Sequence, residues 1–105
     1  MIFRRNRFGD VVARQLDVFA EDETNGLLAE LHDAKAVYDR AERDEAEERY
    51  GEYVDLVEEG SETLADIRDS FKRTLDEDAA ERYEAEFNRA VKKYLPRFGL
   101  EIDLR

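Results

Sequence analysis

The sequence predicts an all-α protein: an antiparallel three-helix bundle with an extended, strand-like C-terminal tail, its first helix open to a break near residues 24–26. Three observations carry this reading. Apolar residues recur every three or four positions along most of the chain, the spacing of one helix face. Long runs rich in Ala, Glu, Arg and Asp contain a single proline, Pro96. The last eight residues, FGLEIDLR, abandon that period for strict alternation, the period of a strand with one buried face.

The first helix follows a short basic lead over residues 1–7, with Asn6 or Asp10 as its cap. Phe8, Val12, Leu16 and Phe19 are its apolar stripe. The stretch EDETNG interrupts it: Asn25 and Gly26 favour positive φ, and Thr24 is placed to cap the next helical run. Leu27, Leu31, Ala34, Tyr38 and Ala41 continue the helical spacing. After Tyr38 the run DRAERDEAEER tolerates helix throughout, yet Asp44 and Glu47 fit a capping box and the apolar phase slips before Tyr50. A corner near residues 42–44 is therefore expected, with one very long helix as the alternative.

The second helix carries the longest stripe: Tyr50, Val54, Val57, Leu64, Ile67, Phe71 and Leu75. Gly60 interrupts it chemically but not in phase, which marks a kink or a close crossing by another helix. The run TLDEDA is the clearest corner, with Thr74 and Glu77 as a capping box and Asp76 as a competing cap. Ala80, Tyr83, Phe87, Ala90, Val91 and Tyr94 form the last helix. Lys92 and Lys93 complement its C-terminal dipole, and Pro96 ends it.

Residues 44–75 as one helix would run about 48 Å, and residues 78–95 only about 27 Å, at 1.5 Å per residue. Part of the longer stripe is left without cover. An extended tail over residues 96–105 reaches up to about 33 Å, enough to run along the gap. It has three possible roles: sealing the chain's own core, pairing between chains, or docking on a different protein.

Composition narrows function mainly by exclusion. The chain has 105 residues, 42% hydrophobic and 43% charged, enough for one domain with a modest core and wide solvated faces. A net charge of −11 argues against a general nucleic-acid binder. The charges are segregated: Arg4, Arg5, Arg7 and Arg14 near the start, Arg89, Lys92, Lys93 and Arg97 near the end, and an acidic stretch over residues 39–66. The basic ends are expected to meet the acidic middle, within one chain or across two. There is no cysteine, so disulfides, thiolate metal sites and cysteine nucleophiles are out. Neither a signal-peptide core nor a membrane-spanning apolar run is evident, and a cytoplasmic setting is expected.

Catalytic and metal chemistry finds no foothold. His32 is the only histidine, and Ala29 stands where a Glu-x-x-His metal motif needs its carboxylate. The acidic loop before His32 lacks the twelfth-position glutamate of a calcium loop, and residues 76–81 lack its glycine. Ser61 and Ser70 have no nucleophile motif around them, and no glycine-rich phosphate loop exists. No enzyme activity, metal or cofactor is expected.

Residues 27–59 faintly resemble one tetratricopeptide-type helical hairpin, with Ala34, Ala46 and Tyr50 near its small and aromatic positions. Several signature positions carry charges and no second copy is present, so the resemblance implies no function.

The expected role is a non-catalytic protein–protein interaction or assembly module, a homodimer or higher homo-oligomer joined by apolar stripes. Tyr53, Val57 and Leu64 on the long helix, with Phe98, Leu100, Ile102 and Leu104 in the tail, are its candidate contact residues. Tyr53 is favoured among the tyrosines because Tyr50 and Val54 fill the inward face beside it. The alternative is peripheral binding to an anionic membrane or nucleic acid through Phe3, Arg4, Arg5, Arg7 and Phe8, where aromatic and basic residues interleave.

Overall fold

The computed structural model describes residues 7–21 and 26–105. Its helices are α1 (Gly9–Glu21), α2 (Leu27–Asp39), α3 (Ala46–Lys72), α4 (Glu77–Tyr94) and α5 (Gly99–Leu104), with a 3-10 turn at Pro96–Phe98 between the last two. The all-helical class stands. The three-helix bundle and the strand-like tail do not.

The first correction arises at the break. Gly26 takes φ 57°, the left-handed region where an added Cβ is strained, and α2 starts directly after it. Thr24 and Asn25, the other turn residues, lie outside the described residues, as does Asn6. Asp10 sits in the first turn of α1 rather than capping it. The break separates two helices with different partners: α2 packs along α3, whereas α1 packs on α4.

The second correction concerns the tail. Alternation at period two contains pairs four apart, so the same letters also describe a short helix. As α5, the chain puts Ile102 inward with Phe98, both within 1% of full burial, and turns Leu100 and Leu104 to solvent at 77% and 74% exposure. A helix satisfies its own backbone donors, whereas no strand exists among the described residues to pair with an extended tail. Lys92 bridges to Asp103 at 2.8 Å and holds α5 back along α4.

Both corners fall where the sequence places them, with different chemistry. Between α2 and α3 the chain turns through Ala41 N–H to Tyr38 O (3.1 Å) and Glu45 N–H to Glu42 O (2.9 Å). Glu45 occupies the N-cap of α3 and makes no side-chain cap, so the Asp44–Glu47 box is not formed. At the second corner Asp76 wins the competition. Its Oδ1 accepts the Ala79 N–H at 2.9 Å, while Thr74 Oγ donates back to Phe71 O at 2.7 Å and closes α3.

α3 is the spine. Its C-terminal half meets α4 and α5 through Leu64, Ala65 and Arg68, opposite Tyr83, Phe87, Val91 and Ile102. Each large apolar side chain buried there contributes roughly 1.5–3 kcal/mol. α1 closes the core while running in the direction of α4: Phe8 meets Tyr83 and Phe71 edge-on (5.6 and 6.4 Å), and Phe19 meets Phe98 (5.6 Å). Two hydrogen bonds fix α1 on α4, Phe8 N–H to Glu86 Oε1 at 3.2 Å and Tyr83 OH to Gln15 Oε1 at 2.7 Å. Gly60 is the close crossing its position suggested. A Cβ there would collide with the Phe98 ring and lie 2.9 Å from Leu27 Cδ2.

Candidate functional site: the projecting hairpin

The row Tyr50, Val54, Val57, Ser61, Leu64 and Arg68 runs down one side of α3 at alternating spacings of four and three. Its lower half is closed: Ser61, Leu64 and Arg68 are within 1% of full burial. Its upper half is not. No residue of α3 before Gly60 is buried, and Tyr50 is 51% exposed. The cause is length. α4 ends at Tyr94 and the chain turns back at Phe98, level with Gly60, so the spine outruns its neighbour by about 21 Å at 1.5 Å per residue. Among the described residues only α2 accompanies the overhang, and its buried residues, Leu27 and Leu31, lie in its first turns.

The overhang is therefore a two-helix hairpin with one face packed between its own helices and one left open. Tyr53 and Leu56 are half-buried against the core, and the rings of Tyr38 and Tyr50 pair near the tip at 5.3 Å. Gly51 sits inside this part of α3 with nothing within 4 Å of where its Cβ would be, so no contact among the described residues requires a glycine there.

Charge divides along the same axis. Residues 39–66 contain twelve acidic and three basic side chains. Two ion pairs lie on the hairpin surface. Lys35 binds Asp39 at 2.9 Å, and this hydrogen bond, with the Asp39 charge, raises the Lys35 pKa despite the positive charge of Arg97. Arg49 is raised in the same way by its hydrogen bond to Glu52. Both pairs are exposed and contribute little stability. Among the described residues, Glu47, Glu48, Asp55 and Glu58 near the tip have no ion-pair partner, and neither do Lys93 and Arg97 at the foot.

The predicted contact residues separate by burial. Leu64, Phe98 and Ile102 are core side chains and are not available to a partner. Tyr53 is less open than Tyr50, although the Tyr50 ring pairs with Tyr38 of α2. Val57 stands at the border where the row opens, and Leu100 and Leu104 lie on the outer face of α5. Tyr50 and Val54, which sequence reasoning assigned to the protein's interior, are half exposed and partly buried respectively. The mismatch of helix lengths was the signal that could have found them. At the other end, Phe3, Arg4 and Arg5 lie outside the described residues. Arg7 is exposed and stacks 5.2 Å over Phe8, but Phe8 itself is a core ring and cannot enter a lipid surface.

A second concavity, of about 470 Å³, lies between α1 and α4, lined by Val12, Leu16, Ala90 and Leu95. Its charged lining is Asp17 and Glu86, and Glu86 is engaged by the Phe8 N–H. His32 is exposed on α2. Among the described residues no helix is long and apolar enough to cross a membrane.

Fold and site together define a class: an acidic helical protein built on one long spine, with a projecting, half-covered hairpin. No family model matches the chain, and no curated protein or solved structure is similar to it.

Proposed function

We propose that this chain is a non-catalytic assembly module that binds protein, in the first instance itself, through the open face of the α2–α3 hairpin. One observation carries the reading: a single row on α3 is closed at Ser61, Leu64 and Arg68, only partly covered at Val57 and Val54, and half exposed at Tyr50. Apolar side chains on a two-helix projection gain from a second pair of helices, which would complete a four-helix bundle.

Mass in solution tests this directly. The wild-type chain is expected to sediment as a dimer or higher oligomer, and Val54→Glu as a monomer with unchanged helix content by circular dichroism. A wild-type monomer at every accessible concentration, or an oligomer indifferent to both Val54→Glu and Tyr50→Glu, would overturn the proposal.

A further inference from the structure

We infer that the groove between α1 and α4 is a binding site for an amphipathic organic cation, an aliphatic ammonium compound whose chain lies on the groove floor and whose charged end meets Glu86. This goes beyond the assembly role proposed above and does not depend on it. The groove encloses about 470 Å³. That is within the roughly 300–1,000 Å³ of small-molecule sites, and a cleft between helices of a bundle is a usual place for one. Side-chain size makes the groove. Val12, Leu16 and Leu95 give an apolar floor, while Gly9, Ala13 and Ala90 are too short to fill the space above it. Ala13 and Asp17 are exposed at the rim, so a ligand can enter from solvent.

Charge selects the ligand. Among the described lining residues the charged side chains are Asp17 and Glu86, both acidic. Neither has an ion-pair partner among the described residues. Glu86 is half-buried, and its Oε1 accepts the Phe8 N–H at 3.2 Å, which fixes the carboxylate at the head of the groove. One bond from a neutral donor leaves most of its acceptor capacity unused. The positive end of the α1 dipole offsets only about half a unit of its charge. A partly buried carboxylate without a cation is costly, and an ammonium group supplies both the charge and the donors. The other end of the groove already has a cation: Lys93 sits 5.2 Å over the ring of Tyr94, which lines the groove there. The ammonium of the ligand is therefore directed to Glu86, beside Gly9, and its apolar end to Leu95.

Three probes share one apolar body and differ in charge: hexylammonium, hexanol and hexanoate. Each would be titrated into the full-length chain and followed by NMR at the methyl groups of Val12 and Leu16. Hexylammonium is expected to shift those methyls and to bind about tenfold more tightly than hexanol, with hexanoate weakest. Glu86→Gln keeps an acceptor for the Phe8 N–H and removes the charge. It should lower hexylammonium affinity about tenfold and leave hexanol unchanged. Glu86 is one of 28 carboxylates, so a diffuse attraction to an acidic protein would hardly respond to this change. Ala90→Leu, checked for folding by circular dichroism, fills the groove and should block every probe; if it does not fold, Glu86→Gln decides alone. Equal affinity for hexylammonium and hexanol would overturn the inference. So would hexylammonium binding unchanged by Glu86→Gln or by a folded Ala90→Leu, or no shift of the groove methyls with any probe.

Discussion

Arg68 Nη1 donates to the backbone oxygen of Ile102 at 3.1 Å, joining the C-terminal part of the spine to α5. The same nitrogen reaches Asn88 Oδ1 at 3.1 Å, and Nε pairs with Asp69 at 2.9 Å. A guanidinium 1% exposed thus touches α3, α4 and α5 at once. It also satisfies a carbonyl near the C-terminus of α5, where helices leave acceptors unpaired. Arg68→Ala is expected to cost about 3 kcal/mol, because it opens a cavity and strands buried acceptors. Arg68→Met, which keeps volume, should cost less. Urea titration checks both, and an Arg68→Ala chain as stable as wild type would refute the joint.

The tail divides into two faces with opposite expected sensitivity. Ile102→Ala should destabilise by about 2–5 kcal/mol. Leu100→Ser and Leu104→Ser should stay within about 0.5 kcal/mol, as exposed positions do. Thermal melts of the three variants separate helix from strand. An edge strand with all four apolar residues inward would make all three changes costly.

Two glycines on the same helix should respond in opposite directions. Gly60→Ala forces a methyl into the Phe98 ring, and overpacking of this kind costs roughly 1–3 kcal/mol. Gly51→Ala meets nothing among the described residues and replaces a poor helix former, a gain of up to about 1 kcal/mol for the monomer. Denaturant midpoints measured at concentrations low enough to keep the chain monomeric give the comparison.

Ser61 places a hydroxyl in the core with no hydrogen-bond partner among the described residues. Removing an orphaned polar group relieves its desolvation cost, so Ser61→Ala should be neutral or stabilising by about 1 kcal/mol. A marked loss of stability would mean that the hydroxyl has a role the geometry does not reveal.

Alkaline pH should weaken the fold through Tyr83. Burial pushes its phenol up to about 12, partly offset by the hydrogen bond to Gln15 and the charge of Arg68. The folded value lies above the unfolded value of about 10. The contribution is therefore intact below about pH 10 and is lost as pH rises toward 12, a fall on the order of 2 kcal/mol. Tyr83→Phe should flatten this part of the stability profile. Equal pH dependence in the two proteins would exclude Tyr83 as its source.

Much of the architecture is legible in the residues because local signals and tertiary packing agree. The stripes Phe8–Val12–Leu16–Phe19 and Tyr83–Phe87–Val91 are buried as their spacing requires, and the corner at Asp76 has the chemistry its side chain offers. The failures share one physical cause: a short apolar pattern does not state its partner. FGLEIDLR fits a strand and a helix equally well, and only the packing of Phe98 under Gly60 and the bond from Arg68 decide between them. Likewise the helical periods of α1 and α2 say nothing of which neighbour each will choose. For the site, the uneven helix lengths were readable, but which face of α3 stays bare depends on where α5 turns back.

Phe8 finds its ring partners at Phe71 and Tyr83 and its backbone acceptor at Glu86, all far downstream in the chain. α1, made before α4, is thus among the last of these helices to gain its place. Until α4 has emerged, its apolar stripe is available to chaperones or to misfolding, while α2 and α3 can already zip together as neighbours in sequence. Folding of these helices should begin with α2 and α3 and close with α1 and α5.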